Sequence, residues 1–224
     1  MKAFLISLAL LISVGAYAGN DPEFELFPKQ AEKSAYDENF LLPNGFFNIN
    51  YNLGFGVGDF KDFISEISYR GFSLDARWFV TDHIAVGGLL GWNGFYEKWP
   101  KQTYEFDGGA VTGVLQTTYY NFAMSVNGYY YPMPESIIKP YVGFGLGPVY
   151  QTVDVQIGRF YVEEKNWQFF MAPEAGVFVA FGEDSDVGAN LGIRYNYITY
   201  KNTDMGFENG ISYFQGIFGL SFMF

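Results

Sequence analysis

The chain contains no cysteine, only one histidine and few charges, with Asp, Glu, Lys and Arg making up 17 % of its 224 residues. Without thiols it can form neither disulfides nor thiolate metal sites, and no lipid can be attached to a cysteine behind a leader. Beyond residue 18 no apolar run approaches the 18 or more residues of a bilayer helix, so a helical membrane protein is excluded. The formal net charge of −11 argues against nucleic acid as a partner. What the chain has instead is aromatics, 21 % of residues with 25 Phe and 18 Tyr, together with 27 Gly. Such a mixture favours strands over helices.

The amino-terminal residues predict export. Lys2 supplies a positive start, Phe4 to Val14 an apolar core, and Ala16-Tyr17-Ala18 a small-x-small cleavage site. That apolar run is about 11 residues, too short to span a bilayer. A signal peptide is therefore expected over 1–18, with the mature chain starting at Gly19. Its removal takes away Lys2 and no acid, leaving 206 residues with a net charge of −12. Residues 19–44 form a polar extension carrying Asp21, Glu23, Glu25, Glu32, Asp37 and Glu38, expected in the periplasm. It reads as a disordered leader, or else as a segment whose Phe24, Leu26, Phe27, Phe40 and Leu41 dock on the barrel mouth or a periplasmic partner. The remaining domain, 45–224, is of a size for one folded unit.

Within that domain the hydrophobic pattern has period two. Phe47, Ile49, Tyr51, Leu53, Phe55 and Val57 alternate with Asn48, Asn50, Asn52, Gly54, Gly56 and Gly58, which is a strand. Phe72, Leu74, Ala76, Trp78 and Val80 oppose Gly71, Ser73, Asp75, Arg77 and Phe79 in a second, and Ile84 to Asn93 follows as a third after Thr81-Asp82-His83. Further strands are predicted near 112–131, 140–150, 167–181, 187–198 and 211–224, making eight. In the last, Phe214, Phe218, Leu220, Phe222 and Phe224 share one face.

The face opposite the apolar set decides what solvates the barrel. Asp75, Arg77, Glu174 and Arg194 are read as the charged residues well inside strands, and all four lie on the parity away from the large apolar residues. Facing lipid at mid-depth each Arg would cost about 2–4 kcal/mol, whereas in a packed lumen two acids and two bases can neutralise one another. The expected architecture is an all-β, eight-stranded antiparallel up-and-down transmembrane barrel. A soluble lipocalin-like barrel is the alternative if the register is shifted by one residue. Long gaps at 59–69, 95–110, 151–166 and 199–210, alternating with the short turns 81–83 and 182–186, match outer loops and periplasmic turns, with Pro132 to Lys139 as the exception. Tyr129, Tyr130 and Tyr131, and Tyr195, Tyr197 and Tyr200, are read as interfacial girdles.

Several segments resemble the OmpA/OmpX-type outer-membrane barrel proteins. They are Arg70 to Arg77 running into Phe79-Val80-Thr81-Asp82, Lys139 to Gly147, and Leu191-Gly192-Ile193-Arg194-Tyr195. The carboxyl end, with Gly219, Phe222 and the terminal Phe224, is similar to the signal that the barrel-assembly machinery reads, departing from it at Ile217, where a polar residue is usual. The resemblance covers about 45–224 and implies fold and an outer-membrane location more firmly than activity.

No catalytic constellation is found, and no cofactor or metal site is expected. His83 lies in a tight turn, and the acidic turn Glu183 to Asp186 lacks the ligand spacing of a calcium loop. Glu163-Glu164-Lys165 reads as a solvated third loop. The expected role is therefore a structural or interaction scaffold presenting extracellular loops, with a narrow or gated small-solute pore as the alternative. Expected partners are outer-membrane lipid and lipopolysaccharide, the assembly machinery, and an unidentified protein. Candidate contacts for that protein are Trp99, Tyr104 and Phe106, set with Phe95 and Tyr96 among charges in the second loop, unless those aromatics pack within a paired ribbon instead.

Overall fold

A computed structural model describes residues 44–224 apart from 107–108 and 183–184. The expected signal peptide and all but Asn44 of the 19–44 extension lie outside the described residues. In chain order the elements are β1 (Gly45–Val57), the short helix α1 (Asp59–Phe63), β2 (Arg70–Phe79), β3 (Ile84–Lys98), β4 (Gln102–Phe106) and β5 (Gly109–Gly113). They continue with β6 (Leu115–Tyr130), β7 (Ile138–Ile157), β8 (Phe160–Ala180), β9 (Val187–Ile198), a 3-10 turn (Thr203–Met205) and β10 (Ile211–Met223). Eight strands close a barrel in the order β1-β10-β9-β8-β7-β6-β3-β2, while β4 and β5 pair as a separate hairpin between β3 and β6.

Closure is made by β1 against β10, in register from Phe46↔Met223 to Val57↔Ser212. The seam matters energetically, because in hydrocarbon each unpaired backbone N–H or C=O costs several kcal/mol and a closed barrel leaves no edge there. The period-two pattern sets which face is which. Phe47, Ile49, Phe72, Leu90, Phe122, Phe144, Leu191 and Phe218 stand on the outer surface, whereas Asn48, Asn50, Ser73, Asp75, Arg77, Asn121, Glu174 and Arg194 are buried inside. A soluble barrel inverts this arrangement. The apolar exterior is that of a barrel solvated by lipid.

Prolines leave a visible mark on the ladder. The β6–β7 pairing breaks between Ala123↔Val149 and Val126↔Leu146, where Pro148 has no N–H to give. The β8–β9 pairing likewise breaks between Met171↔Tyr197 and Glu174↔Arg194, beside Pro173.

Three expectations about the connections need correction. The gap expected at 151–166 is not a loop: β7 and β8 stay paired throughout and turn at Gly158-Arg159 with Ile157 facing Phe160. Gly158 adopts φ 60°, which favours glycine. Alternation in Val153, Val155, Ile157 and Phe160, Val162 carries the strands on to that turn, so Glu163, Glu164 and Lys165 lie in β8 and not in a solvated turn. β3 runs on to Lys98, paired with Gln116 of β6. Because the strands are longer than expected, the four lumen charges are also not the only charged residues inside strands: Glu97, Lys139, Asp154 and Glu163 to Lys165 join them.

Candidate functional site

The centre of the lumen is a chain of charges. Asp75 and Arg77 sit two apart on the inward face of β2, Glu174 comes from β8, and Arg194 lies directly opposite Glu174 on β9. Arg77 Nε is 2.7 Å from Asp75 Oδ1, Arg77 Nη2 is 3.1 Å from Glu174 Oε1, and Arg194 Nη2 is 2.5 Å from Glu174 Oε2. All four side chains are almost fully buried. Two acids and two bases balance, and neutral donors satisfy the remaining oxygens. Asn48 and Asn50 donate to Asp75 at 2.6 and 3.0 Å, and Tyr141 Oη donates to Glu174 at 2.8 Å.

Three tyrosines that sequence reasoning placed elsewhere, or left unassigned, enclose Arg77. Its guanidinium lies 4.0 Å from the Tyr129 ring centroid and 4.3 Å from that of Tyr141, and Nη1 donates to Tyr131 Oη at 3.0 Å. Tyr129 and Tyr131 are therefore not girdle residues. They share the inward parity of Asn127, and only Tyr130 faces outward. The parity was readable, but clustering three tyrosines at a strand end suggested an interface. Below the charges, Phe46, Phe178, Tyr131 and Phe79 close one end of the lumen, with Phe46 and Phe178 ring centroids 4.8 Å apart.

Above the charges lies an amide and phenol belt. Asn93, Asn121, Asn196 and Gln215 bond to one another and to Tyr213. Over the belt an aromatic plug fills the other half of the lumen. Gly58 (φ 58°) turns the chain after β1 into α1, which drops Phe60 into the mouth. There Phe60 meets Phe95 at 4.9 Å and Tyr119 at 5.0 Å between centroids, with Phe207 of the fourth loop and Tyr213 close by. Phe60 and Phe95 are both completely buried. Phe95 is thus an interior residue and not part of an exposed second-loop patch.

Polar contacts tie this plug down as a lid. Ser65 donates to Glu97 through both its N–H (2.6 Å) and its hydroxyl (2.8 Å), and Asp59 Oδ2 accepts from the N–H groups of Glu208 (3.2 Å) and Asn209 (3.1 Å). Glu164 accepts from Tyr200 Oη at 2.6 Å and Asn202 Nδ2 at 2.8 Å, which joins the third hairpin to the fourth loop. Burial and the adjoining Glu164 carboxylate hold the Tyr200 phenol well above its ordinary pKa, so it remains a neutral donor. Tyr200 is accordingly a lid residue rather than a girdle residue.

In the second loop, Trp99 and Tyr104 are half-buried beside the β4–β5 hairpin, with Trp99 Nε1 and Tyr104 Oη lacking hydrogen-bond partners among the described residues. The side chain of Phe106 and the acidic pair Glu183-Asp184 lie outside the described residues. At the carboxyl end Phe222 and Phe224 face outward, and the Phe224 backbone pairs with Gly45. Gly219 allows a close approach: a Cβ there would stand 2.6 Å from the Ile49 carbonyl and closer still to Asn50. His83 sits in the turn between β2 and β3, its Nδ1 2.9 Å from the Tyr131 carbonyl.

Several solved outer-membrane proteins are similar to this chain in structure. Neisserial surface protein A (NspA) matches with a TM-score of 0.53 at 16 % identity, over 81 % of this chain and 97 % of that one. Ail, the attachment invasion locus protein of Yersinia pestis, gives 0.49 at 12 % identity over 82 % and 100 %. The Escherichia coli outer membrane protease OmpT gives 0.42 at 8 % identity over 70 % and 67 %. No family model and no curated protein matches. The chain has the fold of a bacterial outer-membrane β-barrel, with eight antiparallel strands.

Proposed function

We propose that this protein is a closed outer-membrane scaffold: exported through the periplasm, inserted by the barrel-assembly machinery, and presenting extracellular hairpins to a partner rather than passing solute or performing catalysis. The observation that carries this reading is the filling of the lumen. Ionic and tyrosine layers occupy the lower half, and Phe60, Phe95, Tyr119 and Phe207 occupy the upper half. Eight strands enclose an interior that side chains just fill, and here they fill it from both ends. A gated path would have to lift Phe60 out of its ring of aromatics and then part the Asp75–Arg77–Glu174–Arg194 chain.

Purified protein in liposomes should leave the swelling rate in small neutral sugars at the protein-free level. Swelling that scales with protein content would make it a pore. Trp99 and Tyr104 remain candidates for partner contact, because both side chains stay half-buried, and aromatics left partly uncovered are suited to anchoring a protein surface.

The assembly role rests on the outward aromatics at the end of β10. Replacing both Phe222 and Phe224 by Ser should lower the share of protein recovered as the fast-migrating, heat-modifiable barrel in outer-membrane fractions, with the remainder unfolded or degraded. Insertion at the unmodified level would remove these residues from the assembly signal.

A further inference from the structure

The long β7–β8 hairpin has one bare edge. β9 first pairs with β8 at Phe170↔Ile198, so Phe160 to Phe169 rise beyond it, and among the described residues only Phe169 makes a backbone bond to the chain after β9, at Thr199. Across the hairpin turn Phe160 faces Ile157, and hydrogen-bonding direction alternates along an antiparallel strand. Phe169 fixes the sense of that alternation, because its carbonyl accepts from Thr199 N–H at 3.0 Å on the β9 side. The N–H and C=O groups of Tyr161, Glu163, Lys165 and Trp167 therefore point away from β7, and none has a backbone partner among the described residues. Their side chains form one outward row, with Tyr161 55 % and Trp167 57 % exposed. An unpaired edge of this kind is a template for strand addition.

The row is self-complementary. For two copies to satisfy these free backbone groups antiparallel, odd-numbered residues must face odd-numbered ones, which leaves three central registers. Centring the pairing on Glu163 or on Lys165 sets like charges opposite each other. Centring it on Glu164 sets Glu163 against Lys165 of the second copy twice, and Tyr161 against Trp167 twice. The Glu163–Lys165 bridge within one chain, 2.5 Å and partly solvent-exposed, is exchanged for two bridges between chains at little cost. Glu164 itself, which would meet its own copy at the axis, already has its carboxylate turned inward to Tyr200 and Asn202.

Symmetry also sets where the second copy stands. Two barrels in one membrane related by an axis along its normal keep the same sense along that normal, so strands tilted by about 35–45° cannot become antiparallel between them. A horizontal axis permits it, and places the two barrels mouth to mouth. We infer that the edge of β8 from Tyr161 to Trp167 docks on the same edge of a second copy of this chain in an apposed membrane, with Glu163 facing Lys165. The inference rests on the scaffold reading for the outward placement of the hairpin.

The test uses full-length protein in phosphatidylcholine vesicles labelled with donor or acceptor lipid, with clustering read by energy transfer. Wild-type vesicles should cluster. Vesicles carrying only Glu163→Lys set Lys against Lys, those carrying only Lys165→Glu set Glu against Glu, and both should fall to the protein-free baseline. Mixing the two variant populations restores opposite charges in both pairs and should return clustering to the wild-type level. Wild-type vesicles that do not cluster, single variants that cluster as well as wild type, or a mixture that stays at baseline would each overturn the pairing. The swelling assay is independent, so loss of clustering with sugar-tight vesicles removes the dimer and leaves the closed scaffold standing.

Discussion

Arg77→Leu should lower barrel stability by about 3–5 kcal/mol, the cost of leaving a buried acid without its partner. Among the described residues Arg77 is the cation that bridges Asp75 to Glu174, so its loss leaves Asp75 without a paired cation and Glu174 with Arg194 alone. The tyrosine cage adds to the loss, since Tyr129 and Tyr141 would face an aliphatic side chain instead of a guanidinium. Lys101→Leu, at an exposed position beside the second-loop hairpin, is the control and should stay within about 0.5 kcal/mol. Urea unfolding of both variants in the same detergent measures the difference. Coincident midpoints would mean that the charge chain contributes nothing to the barrel.

Phe60→Ala should act as strongly but on the lid alone. Truncating a fully buried Phe costs about 3–5 kcal/mol, and here that loss falls on a five-residue helix held otherwise by Ile64 and by polar contacts from Asp59 and Ser65. The opening equilibrium of the first loop should therefore rise by about two orders of magnitude or more, which exposes the bond after Lys61 to trypsin. The strands stay paired, so heat-modifiable migration should persist. Limited proteolysis of the folded protein separates the outcomes. An unchanged cleavage rate would show that the aromatic plug does not hold the lid.

How far the sequence was legible follows from what each feature depends on. Strand faces depend on period two, and Phe47 to Val57 or Gly71 to Phe79 carry it plainly, so the inward set Asn48, Asn50, Asp75 and Arg77 could be read directly. Strand ends depend on partners. Val153 to Val162 alternate as well as any strand, yet only the β7–β8 ladder shows that they continue to a two-residue turn. Glu164 and Tyr200 met across 36 residues, and nothing local to either announces the other.

The lid was hidden for a related reason. Gly58-Asp59-Phe60-Lys61-Asp62-Phe63 is too short for a helical period, and its burial is set by Phe95 and Tyr119, which lie on β3 and β6. Phe95 was misplaced because a charged stretch, Glu97-Lys98, follows it, although Glu97 is itself buried and bonded to Ser65. Tyr129 and Tyr131 show the same competition: strand parity placed them inside with Arg77, and that constraint outweighs the preference of tyrosine for an interface.

The central claim is a lumen closed at both ends, and current through the purified full-length protein in a planar lipid bilayer measures it most directly. The filled barrel predicts traces that stay at the leak level across the voltage range at which the bilayer itself is stable, with protein insertion verified by heat-modifiability of the same sample. Steady, stepwise currents well above leak would contradict it and make the protein a channel.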